Sequence, residues 1–419
     1  MTQQVNPGDV KIYKIVLLSK NDQATLDITF QVKNISIYES IYSPTVFCEL
    51  LCQDGIDLVG TFPIIGEEFL EISFKTPGVD DIVTYKFETF KVRDKSDLTN
   101  NNMSTYVIEA ASAESVKNIK MGKLNTAYTD TITNIVSDLL VNQVETKKPV
   151  YVEKTKGIST ITIPNLYRLQ AIDFLRNRAV SAEVPNSSFV FYENQRGFHF
   201  RTIESLLYSQ RDDYGWKEFV YDNSSTMEDK RVSAQKYRNI IVLQKNNIVD
   251  SLKNAATGAY KNVVEAFDII TKQVVKTEFD FTKAASQVLA SDKTATPFNT
   301  QSFFSEFKQL NEKPKTMFVP SDSSKPNEFL PENIGFKHAF NSLFGNISNN
   351  VLVYGDSTLT VGETIKLSTT DITAMSGNTT EEQRISGMYI ITSLRHLITP
   401  GPEGNHYVAM QIQKMGYSK

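Results

Sequence analysis

Two runs near the end of the chain, VLVYGDSTLTVGETIKLS (351–368) and GMYIITSLRHLITPGPEGNHYVAMQIQKM (387–415), decide the fold class. Apolar and polar residues alternate within them, and Val408, Met410 and Ile412 fall on one face of the last stretch. Alternation of this kind, interrupted by Gly, Asp and Pro, is typical of antiparallel strands that bury one face. The two runs therefore predict a small closed β unit.

A second β-rich region lies between residues 10 and 112. Its strand-like runs are separated by breaks that contain the Gly, Pro, Asn or Asp residues that turns require. The runs are VKIYKIVLLS, ATLDITFQVKNISIYES, TVFCELLCQ, EEFLEISFKT, IVTYKFETFKVRDKS and MSTYVIEAAS. They predict an all-β domain of about six strands, either a barrel or a sandwich.

Mixed helices and strands separate these two regions. The run DTITNIVSDLLVNQ (130–143) predicts a helix with Thr129 or Asp130 as its N-cap, because its apolar residues recur at helical spacing. TITIPNLYRLQAIDFLRNRAVS (160–181) predicts a second helix, and the hairpin that follows turns at residues 194–197. The predicted inner faces are Ile132, Ile135, Val136, Leu139 and Leu140 for the first helix, and Leu169, Ile172, Phe174, Leu175 and Ala179 for the second.

A chain of 419 residues is too long for one hydrophobic core. The predicted fold class is α+β and β-rich, with two similar antiparallel β-barrel domains and a mixed α/β insertion region. The predicted boundaries are 1–112 for the first barrel, 113–228 for the α/β domain, 229–249 plus 346–419 for the second barrel, and 250–345 for an insertion of loops and helices that packs on the α/β domain.

Composition argues against several classes of function. The formal net charge of −4 does not favour a basic nucleic-acid-binding face. No run reaches the roughly 18 apolar residues of a membrane-spanning helix. Cys48 and Cys52 lie four residues apart in a strand-like run, which is about 13 Å and too far for a disulfide. We expect both thiols to be buried in the core.

No catalytic or metal-binding motif is present in the sequence. The four histidines do not cluster, and no HExxH, CxxC, GxSxG, GxxxxGK[ST] or GxGxxG pattern occurs. The sequence therefore predicts no enzymatic activity, no catalytic residues, no metal and no cofactor. A pair of catalytic carboxylates can come from distant parts of a chain, so a β-rich carbohydrate-binding or carbohydrate-cleaving protein remains an alternative.

Three stretches resemble the central baseplate hub protein of contractile-tailed, T-even-like bacteriophages. The first is NISIYESIYSPTVFCELLCQDG (34–55), and the second runs from residue 160 to residue 200. The third is FKHAFNSLFGNISNNVLVYGDSTLTVGETIKL (336–367), which is followed by GMYIITSLRHLI and HYVAMQIQKM. The resemblance covers most of the chain in order and is weakest over residues 246–330. The positions that carry the family pattern as structural residues are Tyr38, Ser40, Tyr42, Pro164, Gly345, Gly355, Leu359 and Gly362.

The resemblance implies a structural protein of the virion, in the tail baseplate, assembled in the host cytoplasm. Members of that family form a homotrimer in which each subunit contributes two tail-tube-like β-barrels. The resulting ring adapts a threefold spike to a sixfold tail tube. The implied partners are the cell-puncturing spike protein, a tail tube or tube-initiator protein and the baseplate wedge proteins. DNA would pass through the lumen without specific binding, and no membrane span is expected.

Two further expectations accompany this interpretation. Residues 1–112 contain 16 acidic and 9 basic residues, which suggests that an acidic lumen repels the phosphates of DNA during its passage. A second possibility within the same class is the first part of a spike-fused injection-system protein, which normally continues into an OB domain and a β-helical needle.

Overall fold

The structure is a computed structural model in which β-strands predominate. The residues that it describes are 7–19, 24–56, 58, 62, 64–79, 81–98, 103–183, 188–208, 217–221, 238–247, 253, 256–259, 261–280, 315–321, 331–345, 347–369, 385–401 and 404–414.

Seven strands near the start of the chain form what we call the first β unit. Alternating residues of these strands are buried, as the sequence pattern predicted. Cys48 and Cys52 lie in the core of this unit as free, buried thiols. The strands are β1 (Lys11–Leu18), β2 (Thr25–Asp27), β3 (Val32–Ser40), β4 (Phe47–Asp54), β5 (Phe69–Lys75), β6 (Val83–Leu98) and β7 (Met103–Ser112).

The second β unit is assembled from strands that are far apart in the sequence. Its two earliest strands precede residue 250, and its last four follow residue 346. All six surround a second hydrophobic core that contains Tyr389, Met410 and Ile412. The strands are β13 (Lys217–Tyr221), β14 (Ile240–Asn247), β18 (Ile347–Tyr354), β19 (Thr364–Thr369), β20 (Gly387–Thr399) and β21 (Asn405–Lys414).

The two β units have the same strand order. The order of paired strands is β3-β4-β7-β6-β5-β1 in the first unit and β14-β18-β21-β20-β19-β13 in the second. Each strand of the first unit therefore corresponds to the strand at the same place in the second order, so that β3 corresponds to β14 and β6 to β20. Hydrogen bonds at matching positions agree: the Thr89 amide donates to the Glu68 carbonyl at 2.8 Å, and the Ile391 amide to the Glu363 carbonyl at 2.9 Å. Equivalent strands β6 and β20 also each contain a bulge, beside Thr89 and Ile391.

One pairing departs from the predicted antiparallel arrangement. β1 and β5 are antiparallel, whereas their counterparts β13 and β19 are parallel. A parallel pair requires a long connection between its strands, and the residues between β13 and β19 provide one. The Gly, Pro, Asn and Asp residues at the breaks indicate hairpins between neighbouring strands. They do not indicate a pairing between strands that are far apart in the sequence.

Within the described residues, the pairing of β20 with β3 joins the two β units into a thirteen-stranded sheet. The first part of the long strand β20 pairs with β19, and its second part pairs antiparallel with β3. The register of this second pairing runs from Ser393 opposite Ser40 to Ile398 opposite Ile35. We call this contact the joint. Because the hydrogen bonds cross it without interruption, the joint fixes the two units relative to each other.

The described part of the α/β region contains two small sheets, four α-helices and a π-helix (Leu139–Gln143), and its core includes Ile135, Leu139 and Ile172. The hairpin predicted at residues 194–197 is present. Thr131, not Thr129 or Asp130, caps α2, because the chain remains extended to Asp130. The elements are α1 (Ala113–Lys120), β8 (Leu124–Asp130), α2 (Ile132–Asp138), β9 (Val150–Val152), β10 (Ser159–Leu166), α3 (Arg168–Arg176), β11 (Phe189–Asn194), β12 (Gly197–Thr202) and α4 (Ile203–Tyr208).

The described part of residues 250–345 includes a small three-stranded sheet and a helix of 14 residues. The Lys337 ammonium donates to the Arg176 and Asn177 carbonyls of the α/β region, while the apolar face of the helix joins the core of the second β unit. The backbone of Gly345, which follows this helix, is not in the left-handed conformation that glycine often adopts at a helix end. The elements are β15 (Lys261–Asp268), β16 (Val274–Asp280), β17 (Lys315–Ser321) and α5 (Pro331–Phe344).

Candidate functional site

The joint is held by a fully buried carboxylate, that of Glu39 on β3. One oxygen accepts from the Tyr85 hydroxyl at 3.0 Å and from the Gln195 amide at 2.9 Å. The other accepts from the Thr360 hydroxyl at 2.6 Å and from the Val361 amide at 3.2 Å. These four donors belong to the first β unit, the α/β region and the second β unit. Glu39 therefore connects all three parts of the molecule.

Strand alternation explains why this charged group points inward. On β3 the side chains of Ile35, Ile37 and Glu39 share the core face, and those of Ser36 and Tyr38 share the other. Burial raises the pKa of Glu39, while its four hydrogen bonds act in the opposite direction. A buried carboxyl group is tolerated only where donors of this kind surround it.

Two histidines meet beside this carboxylate, on neighbouring strands of the second β unit. Nδ1 of His396 lies 3.0 Å from Nε2 of His406, and both side chains are fully buried. Phe74 of the first β unit contacts both imidazoles edge-on, with ring centroids 6.0 and 5.6 Å away. Burial lowers the pKa of His396 to about 4 and that of His406 well below its usual value. Both rings are therefore neutral at neutral pH.

Two glycines of the predicted family pattern lie where a side chain would not fit. A Cβ on Gly355 would lie 2.1 Å from the ring of His406, so the loop can approach β21 only without a side chain. Gly362 has φ +81°, and a Cβ there would lie 2.1 Å from the Tyr192 hydroxyl. Leu359, between them, is fully buried. The structure thus brings Gly355, Leu359 and Gly362 together at the joint.

Three more pattern residues lie at the end of β3. The Tyr38 hydroxyl donates to Glu49 at 2.7 Å. The Ser40 hydroxyl lies 3.3 Å from that of Ser393 across the joint. The Tyr42 hydroxyl donates to Gln413 at 3.2 Å. Tyr38, Ser40 and Tyr42 therefore belong to the joint region.

The remaining two pattern residues lie elsewhere. Pro164 is exposed on β10, next to a register shift in its pairing with β8. Gly345 follows α5, where its Cβ position has only Gln413 within 4 Å. Neither lies on β3 or β20, the two strands that form the joint.

Eight strands of the sheet lie side by side in the order β14-β18-β21-β20-β3-β4-β7-β6, and we call them the wall. Alternate side chains of β14, β18, β20 and β21 point away from the core of the second β unit. Among those that the structure describes, Arg395 is charged and the others are uncharged. A groove of about 560 Å³ crosses the joint on this face, from Phe47 on β4 to Val242 on β14. The wall thus presents a broad and largely uncharged surface.

Charged groups on the first-unit half of the wall are paired with one another. Arg93 contacts Glu49 at 3.0 Å and also Glu109, and Lys91 lies 3.6 Å from Glu109. These wall positions therefore do not carry the net negative charge of residues 1–112.

Sequence reasoning missed Glu39 and the histidine pair. A signal for Glu39 was available, since an acidic residue at an inward position of an alternating strand indicates a buried carboxylate. No local signal could have paired His396 with His406, because the contact depends on the register between β20 and β21. Within the described ranges, no group of three or more His, Cys, Asp or Glu could hold a metal ion. No helix there is long and apolar enough to cross a membrane.

Solved structures of two tail proteins, one of them from a prophage, share this fold. One is the tail protein from Neisseria meningitidis MC58, with 10% sequence identity, a TM-score of 0.56 and 96% of each chain covered. Another is the 43 kDa tail protein of prophage MuSo2 from Shewanella oneidensis, with 9% identity, a TM-score of 0.51 and coverage of 97% of this chain and 100% of that one. No protein-family model matches the sequence, and no curated protein matches it. The resemblance to phage tail proteins that the sequence predicted is confirmed at the level of the fold.

Proposed function

We propose that this protein is a structural baseplate hub, a homotrimeric ring that connects a threefold spike to a sixfold tail tube in a phage virion. The observation that carries this proposal is the repetition of one strand order in two β units joined into one sheet. A chain that contains two equivalent units can occupy two of six equivalent positions. Three such chains then match a sixfold partner on one side and a threefold partner on the other.

Each β unit is proposed to act as a tail-tube-like barrel. In the second unit the pairings run from β20 through β21 and β18 to β14, and also from β20 through β19 to β13. The Val220 amide of β13 donates to the Arg238 carbonyl, next to β14, at 3.1 Å, and Val220 bridges Asn239. This bridge supports a closed circuit of six strands. The first unit, with the same strand order, is proposed to have the same form.

The wall is proposed to line the channel of this ring. The half of the wall that belongs to the second β unit is largely uncharged, and the half that belongs to the first β unit has paired charges. Both features favour a near-neutral lumen over the acidic lumen that the composition suggested. Nonspecific DNA binding requires a row of cations that neutralise phosphates, and the described wall has none. DNA would therefore pass without being retained.

The proposed partners are the spike protein, a tail tube or tube-initiator protein and the baseplate wedge proteins. The division into a first barrel (1–112), an α/β domain (113–228), a second barrel (229–249 plus 346–419) and an insertion (250–345) is part of the same proposal, except that β13 (Lys217–Tyr221), which this division leaves in the α/β domain, pairs with β19 of the second β unit. We further propose that the chain has no catalytic role, and that it assembles in the host cytoplasm.

The proposal is tested by the mass and shape of the purified chain. We expect light scattering to give three times the 47.2 kDa chain mass, and electron microscopy to show a ring with an open centre. Mixing the ring with a trimeric spike protein should give one species with equal numbers of the two chains. A monomer at all concentrations that binds glycans would refute the hub and favour the carbohydrate alternative.

A further inference from the structure

We propose that the hairpin end between β15 and β16 is a membrane-contact site, which enters the interfacial layer of a lipid bilayer with anionic headgroups. We call residues 267–275, which form this hairpin end, the finger. The inference goes beyond the proposed hub, because it adds a lipid surface as a binding partner. It requires insertion of a hairpin tip only, without a membrane span.

Large apolar side chains are exposed along the finger. Turns normally contain Gly, Pro, Asn, Asp or Ser, whereas this one begins with two isoleucines. Single exposed apolar residues are common on protein surfaces, but a contiguous group of them marks an interaction site. The members of this group have exposed fractions between 48% and 78%, and they are Phe267, Ile269, Ile270, Val274, Val275 and, on the neighbouring strand β17, Phe318.

The finger is apolar on both faces of the hairpin. Phe267 lies opposite Val274 on one face, and Ala266 lies opposite Val275 on the other. Helix α5 packs against β15 and β16. Ala266 is buried but Val275 is half exposed, so the cover of that face ends before the finger. A flat protein surface covers one face of a hairpin, whereas a bilayer surrounds whatever enters it. The exposure of both faces therefore favours lipid as the occupant.

The charge that the finger displays is positive. Its two charged residues are Asp268 and Lys272. Asp268 is buried, and its carboxylate accepts from the Ile270 amide at 2.8 Å and the Thr271 amide at 3.2 Å, so it fixes the turn from inside. Lys272 is exposed. A lysine ammonium on its long stem reaches lipid phosphates while apolar neighbours insert, so the finger complements an anionic headgroup layer.

An ion pair behind the finger limits the depth of insertion. The Glu265 carboxylate lies 2.7 Å from the Lys276 ammonium, at opposed positions of β15 and β16. Two residues of strand separate this pair from Phe267 and Val274, a distance of about 7 Å. Interfacial elements bury their apolar surface to a depth of about 5–10 Å. The apolar part of the hairpin therefore matches the depth of the interfacial layer.

Flotation of the full chain with lipid vesicles tests the finger. We expect the unmodified protein to float with vesicles of phosphatidylcholine and phosphatidylglycerol in equal parts, and less with phosphatidylcholine alone. The double variant Ile269→Ser/Ile270→Ser should bind at least about tenfold more weakly, because it removes two inserted apolar side chains. Lys272→Gln should weaken binding to the anionic vesicles only.

The matched control is Ile119→Ser/Ile158→Ser, which removes two isoleucines of similar exposure from the α/β region. It should bind vesicles as the unmodified protein does. Circular dichroism should be the same for both double variants, since all four side chains are exposed. Equal losses in the two double variants, or no vesicle binding by the unmodified protein, would overturn the membrane contact.

A fluorescent label measures the depth of insertion. An environment-sensitive dye on Ile270→Cys should shift to shorter wavelength when vesicles are added, and the same dye on Lys276→Cys should not. The two native thiols are buried and should remain unlabelled. A shift at both positions would contradict the limit set by the ion pair.

Light scattering separates this inference from the proposed function. A lower mass for Ile269→Ser/Ile270→Ser than for the unmodified protein would show that the finger binds another copy of the chain, and would overturn the membrane contact. A species of three-chain mass that binds no vesicles would also overturn it and leave the hub standing. A monomer at all concentrations that floats through the finger would refute the hub and support the membrane contact.

Discussion

Replacing Glu39 by glutamine tests whether a buried carboxylate holds the three parts of the molecule together. The amide of glutamine can keep one oxygen toward Tyr85 and Gln195, but its NH₂ group then faces the other two donors. The Thr360 hydroxyl can rotate and accept a hydrogen bond, whereas the Val361 amide cannot. One buried donor is thus left without an acceptor.

The expected loss is about 1–3 kcal/mol in the free energy of unfolding, the cost of one orphaned buried donor. Glu39→Ala leaves all four donors without their acceptor and should cost at least about 4 kcal/mol by the same estimate. That is a large part of the stability of a typical protein. Urea unfolding followed by circular dichroism would measure both changes.

Glu49 on the neighbouring strand provides the matched control. It accepts from Tyr38 and Arg93 but is half-buried, so water can replace both partners. Glu49→Gln should therefore cost no more than about 1 kcal/mol. An equal loss for Glu39→Gln and Glu49→Gln would refute the role assigned to Glu39.

The pH dependence supplies a second readout for Glu39→Gln. A carboxyl group whose pKa is raised by folding stabilises the fold fully below its unfolded pKa, near about 4.3, and this contribution is lost as pH rises through the folded pKa. The stability of the unmodified protein relative to Glu39→Gln should therefore decrease as pH rises from 4. A difference independent of pH would contradict the raised pKa.

Three further experiments test the joint and the α/β region. The double variant His396→Leu/His406→Leu should lose less thermal stability on acidification than the unmodified protein. A histidine whose pKa is lowered by folding stabilises the fold above about pH 6.5, and this contribution is lost as pH falls through the folded pKa, which is about 4 for His396. Melting temperatures at pH 7 and pH 4.5 measure the loss, and an equal loss in both proteins would contradict a role for the pair. Gly355→Ala forces a Cβ against an imidazole and should destabilise by about 1–3 kcal/mol in urea unfolding, and a neutral result would contradict the close approach. Thr131→Ala should lower the free energy of unfolding by about 1 kcal/mol, because the helix loses its cap, whereas Thr129→Ala should lower it by less than about 0.5 kcal/mol. A larger loss for Thr129→Ala than for Thr131→Ala would indicate that Thr129 is the N-cap, as the sequence suggested.

Local patterns in the sequence predicted much of the secondary structure. Alternation located the strands of both β units except β13 (Lys217–Tyr221), and the predicted hairpin at 194–197 is confirmed. Helical spacing identified Leu169, Ile172 and Leu175 as buried residues of α3. The N-cap of α2 was predicted wrongly, because its position depends on where the preceding strand β8 ends.

The sequence by itself determined that this protein is β-rich, that two of its regions alternate in the same way and that helices lie between them. These features follow from the side-chain periodicity of strands and helices, which is local. Only the tertiary structure decided that β20 pairs with β3, that β13 runs parallel to β19, and that Glu39 meets donors from three regions. Apart from the contact of Glu39 with Tyr85, each of these contacts joins residues more than a hundred positions apart. Their geometry depends on the packing of both partners, for which no single stretch of sequence carries a signal.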